Sequence, residues 1–569
     1  MGYQRCFRHA AGATFFAVMT LAACAVALAA PVGGKKQMIA AANPLAAEAG
    51  LEMLRAGGSA VDAAIAAEAV LGLVEPQSSG LGGGAFLLHY SAEDKAVSAY
   101  DGRETAPAAA GPDLFLDAAG EPMDFWQAVV GGRSVGVPGL VRMLELAHRD
   151  HGRLPWRRLF EPAIRLAEEG FKVSPRLHGL IAGDKHLPKL TAARAYFYDA
   201  EGAPLAVGHV LKNPAYAASL RRIAEAGAEG FYQGRTAAAI VAAVRGIEDN
   251  PGQMSGEDLA GYRAKRREVL CAPYRAWQIC GMPPPTSGGV AVLQIMSLLE
   301  RFDLAGHPPG APQALHLVAE ASRLAFADRN LFLADADFVN VPLDRLLDRG
   351  YLARRAALIA PDRAMGRAEP GFALDQGAMP AQLDPPATTH LAVVDRWGNA
   401  VSMTASIESA FGSRVMAAGF LLNNELTDFS FQPEADGKPV ANRVEGGKRP
   451  RSSMSPTLVL DGQGGLVMAV GSPGGSRIIG YVVKALVTAL DWGLDMQQAV
   501  SFPNFVNRNG ATDLEAGTAL AAIAEALEAL GHEVKQREMT SGLHAIRVRP
   551  DGTLEGGADP RREGVVYAD

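Results

Sequence analysis

The residues that could perform chemistry in this sequence begin with a pair of threonines. Thr388 and Thr389 open an apolar run that ends at Asp395, and a second apolar run starts at Ala400 after a turn-like composition. This pattern predicts a β-hairpin with the threonines at the start of its first strand. A threonine hydroxyl is a poor nucleophile unless a base lies beside it. The threonine's own α-amine can be that base, but only if the chain is cut just before it.

A cut between Ala387 and Thr388 would supply such a base. A free α-amine has a pKa of about 8, which is close to working pH. Taken alone, the stretch is better explained by ordinary strand threonines. The residues that follow it change this interpretation.

The sequence after the threonines is dense in groups that could form a site. Hydroxyls and carboxylates recur next to apolar segments, where they would be buried and would need partners. These residues are Ser406, Glu408, Glu425, Asp428, Ser452 and Ser453.

Gly474 and Gly475 lie between a predicted strand over residues 466–470 and a predicted helix over 478–490. Two glycines at a helix N-terminus leave amide N–H groups unblocked and aided by the helix dipole. An oxyanion hole can be made from such backbone groups alone. A plain tight turn explains the pair equally well at this stage.

The composition excludes several classes of protein. The chain has 569 residues, is 49% hydrophobic and 20% charged, and has a formal net charge of −7. It is therefore globular and long enough for a large core, and its acidity argues against a nucleic-acid partner. No metal-type Cys/His spacing, P-loop or G-x-S-x-G elbow is found, so we expect no metal or cofactor.

The N-terminus is predicted to be an export signal. Arg5 and Arg8 precede an apolar run over residues 10–30, and Ala27 and Ala29 supply a small-x-small cleavage pattern. Residues 1–29 are then removed. A lipobox-like sequence ending at Cys24 is an alternative that would leave a lipid-anchored N-terminus. Either way the mature protein is expected to be periplasmic or secreted.

Four cysteines are present. Cys6 and Cys24 lie in the predicted signal, whereas Cys271 and Cys280 flank a probable turn between two strands. An oxidising compartment permits a disulfide there, although neighbouring strands often have unsuitable geometry for one.

The remaining elements frame these groups. Helices are predicted over residues 45–55, 59–73, 290–301 and 311–328, and the region from about 108 to 265 is mainly helical. The glycine-rich loop 80–86 precedes a strand rather than a helix, so it is no dinucleotide site and should instead let backbones pass closely. Residues 361–386 are polar and aperiodic, as expected of an exposed segment that could hold a cut site.

Together these motifs resemble one family. From about Met38 to the C-terminus the chain is similar to γ-glutamyltransferases (glutathione hydrolases), which are N-terminal-nucleophile hydrolases. The resemblance lies in the loop 80–86 and in the segments 101–107, 252–255, 283–289, 327–329, 388–395, 423–429, 449–456 and 471–477.

The resemblance implies an α+β fold, a four-layer αββα sandwich formed jointly by two chains from one precursor. The large subunit would be residues 30–387 and the small subunit residues 388–569. The implied substrates are glutathione and other γ-glutamyl compounds, with water or amino-acid and peptide acceptors receiving the γ-glutamyl group.

The resemblance also assigns roles. Thr388 would be the nucleophile, its amine the base, and Gly474 and Gly475 the oxyanion hole. Arg103 and Ser452 would hold the substrate α-carboxylate, Asp428 would take the α-ammonium, and Ser453 would complete the pocket. These assignments fit the chemistry, because a guanidinium suits a carboxylate and an acid suits an ammonium. His390 is not needed and is expected to be structural.

The sequence departs from the family pattern at several positions. Ser406 stands where many relatives have Thr, and it keeps a hydroxyl for a contact with Thr388. Glu408 and Glu425 stand where the best-known bacterial enzymes have Asn and Gln, and both suit an ammonium partner. The segment 430–448 is short and lacks the lid tyrosine, which favours an open site.

Two alternatives remain at this stage. One keeps the fold and Thr388 but acts on glutaryl or cephalosporin-type amides, as acylase relatives do. The other is a secreted binding protein without catalysis, which the intact Thr388, Arg103, Asp428 and glycine pair disfavour.

Overall fold

The computed structural model describes residues 30–380, residue 385 and residues 387–569. The predicted signal 1–29, with Cys24, lies outside the described residues. Among the helices described, none is both long and apolar enough to cross a bilayer.

The helices of the described chain are short to medium in length. They are α1 Pro44–Arg55, α2 Ala60–Val74, α3 Phe125–Val129, α4 Leu140–His151, α5 Glu161–Glu169, α6 Pro175–Gly183, α7 Thr191–Phe197, α8 Pro214–Ala226, α9 Glu229–Tyr232, α10 Gly234–Arg245, α11 Gly256–Gly261, α12 Gly288–Leu299, α13 Pro312–Phe332, α14 Leu343–Leu346, α15 Arg349–Ala356, α16 Ile478–Leu490, α17 Met496–Ser501 and α18 Ala524–Ala529.

The strands fall into two large sheets and several small ones. They are β1 Val32–Gly34, β2 Met38–Ala41, β3 Gly84–Ser91, β4 Ala96–Gly102, β5 Phe171–Lys172, β6 Val210–Leu211, β7 Lys265–Arg267, β8 Leu270–Tyr274, β9 Trp277–Gly281, β10 Thr389–Val394, β11 Ala400–Ser406, β12 Met416–Ala417, β13 Phe420–Leu421, β14 Glu434–Ala435, β15 Lys438–Pro439, β16 Thr457–Asp461, β17 Leu466–Gly471, β18 Phe505–Asn507, β19 Thr512–Glu515, β20 Val534–Arg537, β21 His544–Val548, β22 Leu554–Ala558 and β23 Val565–Ala568.

The first large sheet carries the threonine hairpin at its centre. Its strand order is β23-β2-β10-β11-β3-β4-β7, and every neighbouring pair is antiparallel. Thr389 pairs with Ala405, which confirms the predicted hairpin. Because β10 and β11 have neighbours on both sides, the start of β10 is held firmly in the sheet interior.

The second large sheet stacks on the first. Its order is β1-β22-β21-β17-β16-β9-β8. Helices α1 and α2 pack against the first sheet, and α12 and α16 pack against the second. The two sheets face each other through β10, β11, β17 and β21. The molecule is therefore the expected four-layer αββα sandwich.

A buried serine joins the two sheets. The Ser402 hydroxyl on β11 donates to the Val470 carbonyl at 3.1 Å and accepts from the Thr457 amide at 3.1 Å. Both partners belong to the second sheet, on β17 and β16. This bridge holds the end of β17 and the start of β16 against β11.

Most predicted elements match the structure, with shifts of a few residues at their ends. The capping residues Asn43 and Ser59 accept backbone N–H bonds at the starts of α1 and α2, as their sequence positions predict. The long helix predicted over 311–328 extends to Phe332 because buried apolar residues continue the pattern.

Cys271 and Cys280 are cross-strand partners on β8 and β9 and form a disulfide. The expectation that neighbouring strands have unsuitable geometry for a disulfide was therefore wrong at this position.

We expect Ser402→Ala to weaken the stacking of the two sheets. The substitution leaves the buried Thr457 amide without the Ser402 acceptor, which costs about 1–3 kcal/mol of unfolding free energy. Denaturant unfolding of wild type and variant measures the loss. Ser98→Ala, at a half-buried position of β4, is the control, and an equal effect of both changes would contradict the bridging role.

Candidate functional site

The hydroxyl of Thr388 lies at the entrance to β10. Its Oγ1 is 3.1 Å from Ser406 Oγ, which also accepts the Glu408 amide N–H at 2.8 Å. The predicted contact between Thr388 and Ser406 is thus present. Thr388 has φ +79°, a left-handed conformation that is strained for a β-branched residue. The peptide bond that would be cut is therefore next to a strained residue.

The carbonyl of Ala387 already lies at the glycine pair. Gly474 donates its amide N–H to the Ala387 oxygen at 3.1 Å. Gly474 has φ +132°, and a Cβ there would lie 2.6 Å from the Tyr481 ring. Only glycine fits this position, so the sequence requirement has a steric cause. A donor aimed at this oxygen polarises the carbonyl beside the Thr388 hydroxyl.

Arg103 is the cation of the site and is fully buried just after β4. Its guanidinium pairs with Glu425 through Nη1 and with Asp428 through Nη2, and its Nε donates to the Pro450 carbonyl at 3.1 Å. Glu104 is a third carboxylate, 3.7 Å from Nη1. Three acids around one guanidinium give the site an acidic excess.

This excess changes the protonation of the acids. Burial raises the pKa of Glu425 to about 7, against the lowering effect of Arg103. Burial and the nearby Glu425 charge raise the pKa of Glu104 well above its usual range. The site therefore gains negative charge through Glu425 near neutral pH.

The hydroxyls of Ser452 and Ser453 close one side of the site. Ser452 Oγ accepts the Met454 amide N–H at 3.1 Å, and Ser453 Oγ accepts from Arg329 Nη2 at 2.7 Å. Glu408 also lines the site, and its Oε2 accepts from Asn424 Nδ2 at 2.9 Å.

Most of the predicted site residues line one small pocket. Its volume is about 30 Å³, the room of roughly one water molecule. Of the predicted site residues, it brings together Arg103, Thr388, Ser406, Glu408, Glu425, Asp428, Ser452, Ser453 and Gly475. Gly474 and Ala387 are tied to it by their hydrogen bond.

Sequence reasoning missed three contributors. Glu104 adjoins Arg103 but nothing in its local sequence marks it as buried. Asn423 accepts the Glu425 and Gly136 amides and donates to the Gly82 and Gly136 carbonyls, which fixes the segment that carries the acids. Arg562 donates to the Thr388 carbonyl at 2.8 Å from near the C-terminus.

Two further predictions concern structural residues. The His390 ring is fully buried, its Nδ1 is 2.9 Å from Thr404 Oγ1, and burial lowers its pKa well below the usual range. The His390 ring is thus neutral and packs between the sheets.

The glycine loop 80–86 lets backbones pass closely, as predicted. A Cβ at Gly82 would lie 2.1 Å from the Leu421 carbonyl oxygen.

The chain has extensive similarity to known proteins. A family model described as Gamma-glutamyltranspeptidase matches residues 46–569. The glutathione hydrolase proenzyme of Escherichia coli strain K12 is 38% identical over 545 residues, which cover 93% of this chain and 91% of that protein.

Acylases are also similar. The acylase ACY 1 proenzyme of Pseudomonas sp. strain SE83 is 36% identical over 549 residues, covering 95% of this chain and 94% of that protein. The crystal structure of a cephalosporin acylase from Bacillus halodurans superposes with a TM-score of 0.82 at 28% identity, covering 95% of this chain and 97% of that one.

We expect affinity for an α-amino acid to rise with pH between 6 and 8. The pKa of Glu425 is raised to about 7, so its carboxylate is mostly neutral at pH 6 and mostly charged at pH 8, where it attracts an ammonium. The Kd of free L-glutamate, measured by calorimetry on the purified protein, should fall about three- to tenfold. Glu425→Gln should abolish this trend, and an unchanged trend in that variant would refute the assignment.

Proposed function

The chain belongs to the gamma-glutamyltranspeptidase family, and from that membership we propose that it is a self-processing γ-glutamyl hydrolase and transferase. It would cleave glutathione and other γ-glutamyl amides through an ester on Thr388. Water, an amino acid or a peptide would then receive the γ-glutamyl group. The observation that carries this proposal is the hydrogen bond from Gly474 to the Ala387 carbonyl, beside the Thr388 hydroxyl.

Processing would start from that geometry. The Thr388 Oγ1 attacks the carbonyl carbon of Ala387, whose oxygen is stabilised by the Gly474 N–H. The C–N bond then breaks as its nitrogen takes up the proton released by Oγ1, which leaves an ester on Oγ1 and a free α-amine on Thr388. Water hydrolyses the ester and releases the Ala387 carboxylate. The products are a large subunit 30–387 and a small subunit 388–569.

Turnover would reuse the same groups. The Thr388 amine accepts the proton of Oγ1, and Oγ1 attacks the γ-carbonyl carbon of the substrate. The Gly474 and Gly475 amides stabilise the oxyanion. The amine then returns the proton to the leaving nitrogen. Ser406 orients Oγ1, from which it lies 3.1 Å.

Recognition would exchange one set of ion pairs for another. Arg103 is paired with Glu425 and Asp428. A glutamyl group brings an α-carboxylate, which Arg103 and Ser452 would hold. It also brings an α-ammonium, which would lie among Asp428, Glu425 and Glu408. Every buried charge then keeps a partner, which a ligand with only one of these groups cannot achieve.

The main alternative is an acylase acting on glutaryl or cephalosporin-type amides. The similarity to proteins named acylases favours it, as does the short segment 430–448, which contains only the small hairpin of β14 and β15. The acidic excess around Arg103 argues against it, because a glutaryl group has no ammonium. We further propose export to the periplasm or outside the cell, by the signal predicted over 1–29.

The purified protein should separate on a denaturing gel into two pieces, the smaller beginning at Thr388. Thr388→Ala should stay as one chain and have no activity on a γ-glutamyl anilide. The Thr388 hydroxyl is needed for the cut, which frees the α-amine, and again for the attack on the substrate. Thr389→Ala keeps Thr388 and is the matched control, which should be cut. An uncut wild-type protein that turns over substrate would overturn the mechanism.

A γ-glutamyl anilide should be preferred over the glutaryl anilide by about 10²-fold or more in kcat/KM. The glutaryl group would leave Asp428, Glu425 and Glu408 without an ammonium, and sites built for a polar partner discriminate strongly against its absence. Steady-state kinetics on the two anilides measure the ratio. Equal rates, or a glutaryl preference, would assign the function to the acylase alternative.

A further inference from the structure

We propose that a second cavity beside the nucleophile pocket binds carboxylates of the leaving group and of the acceptor. We call it the basic cleft, and its cations are Arg329, Arg451, Arg508, Lys535 and Arg537. The preferred donors and acceptors would then carry an acidic residue next to the γ-glutamyl amide bond. This inference rests on the proposed γ-glutamyl activity and names its substrate class.

The cleft adjoins the pocket directly. Asp428 and Ser453 line both cavities, and Ser476, which follows the glycine pair, lines the cleft. Its volume is about 350 Å³, within the range of small-ligand sites. A substrate whose γ-carbonyl lies at Gly474 and whose glutamyl end fills the pocket would extend its other end into this space.

The charge of the cleft is opposite to that of the protein. Among the described residues that line the cleft, two acids, Asp428 and Asp513, stand against the five cations. Asp428 is engaged by Arg103. Asp513 is shared by three arginines, Arg537 at 2.8 Å, Arg477 at 3.2 Å and Arg508 at 3.9 Å. The cleft is therefore positive in a chain whose formal net charge is −7.

The inner cations are held in place by hydrogen bonds. Arg329 is buried and donates to Ser287 Oγ at 2.9 Å and to Ser453 Oγ at 2.7 Å, while Arg451 donates to the Arg329 carbonyl at 3.0 Å. Fixed guanidinium groups suit carboxylate recognition.

The outer cations are more exposed. The side chains of Lys535 and Arg537 on β20 are each 48% exposed. Lys535 is paired with Glu533 at 2.6 Å and Arg537 with Asp513 at 2.8 Å. Their attraction to a ligand is therefore partly offset by these acids, acts at longer range and is weakened by salt. The inner arginines would therefore hold a carboxylate near the reacting amide, and the outer pair would attract a second one.

The two cavities together match a substrate with separated charges. The pocket has an acidic excess for the glutamyl ammonium, and the cleft has a basic excess for the far carboxylates. A ligand in the reverse orientation would meet like charges at both ends, which is unfavourable. The two cavities together would thus select the orientation of the substrate and favour a negatively charged group beyond the amide.

The test uses two anilides that differ by one carboxylate on the leaving group, γ-glutamyl-4-nitroanilide and γ-glutamyl-3-carboxy-4-nitroanilide. The measured quantity is the ratio of their kcat/KM values, in which a general loss of activity cancels. The double variant Lys535→Gln/Arg537→Gln is compared with Lys172→Gln/Arg235→Gln, which changes two exposed cations outside the cleft. The dipeptides γ-glutamyl-glutamate and γ-glutamyl-glutamine repeat the comparison.

We expect the wild-type protein to favour the carboxylated member of each pair. The ratio should fall about three- to tenfold in the cleft variant and on raising salt from 0.05 to 0.5 M, and should not change in the control variant. A ratio near one in the wild type, or an equal fall in both variants, would overturn the inference. Failure to turn over any of these γ-glutamyl compounds would instead contradict the proposed function.

Discussion

The site depends on one hydrogen bond, from the Gly474 amide to the carbonyl oxygen of Ala387. It brings the end of β17 in one sheet to the start of β10 in the other, and so requires the two sheets to stack at a fixed distance. The Ser402 bridge and the buried strands on both sides of β10 maintain that distance. The same N–H would serve the proposed cut and every later turnover, because both reactions place an oxyanion at one point.

Charge burial is the second constraint on the site. A guanidinium as deeply buried as that of Arg103 is tolerable only because carboxylates from distant segments surround it. These partners leave room in the pocket for about one water molecule. Under the proposed function, a substrate would therefore separate existing ion pairs, and a zwitterion could replace each partner that it displaces. Recognition would then be an exchange between ion pairs.

The sequence was informative where function depends on local pattern. Thr388 before an alternating apolar run and two glycines between a strand and a helix are visible in a few residues. The partners of these groups are not. Arg562 reaches the Thr388 carbonyl across 174 residues, and Arg103 meets Glu425 across 322. The family resemblance supplied Arg103, but only the fold shows that Glu104 is buried beside its guanidinium and that Asn423 holds the segment that carries Glu425.

The sheet order has a consequence for the proposed two-chain protein. In the first sheet, β2 of the large subunit lies between β23 and β10 of the small one, and β11 of the small subunit pairs with β3 of the large one. Neither piece alone contains a complete sheet, so each would expose unpaired strand edges in isolation. The proposed cut would therefore yield two polypeptides but one folding unit. Subunits of different molecules could be exchanged only by unfolding, and the two pieces expressed separately would each be prone to aggregate.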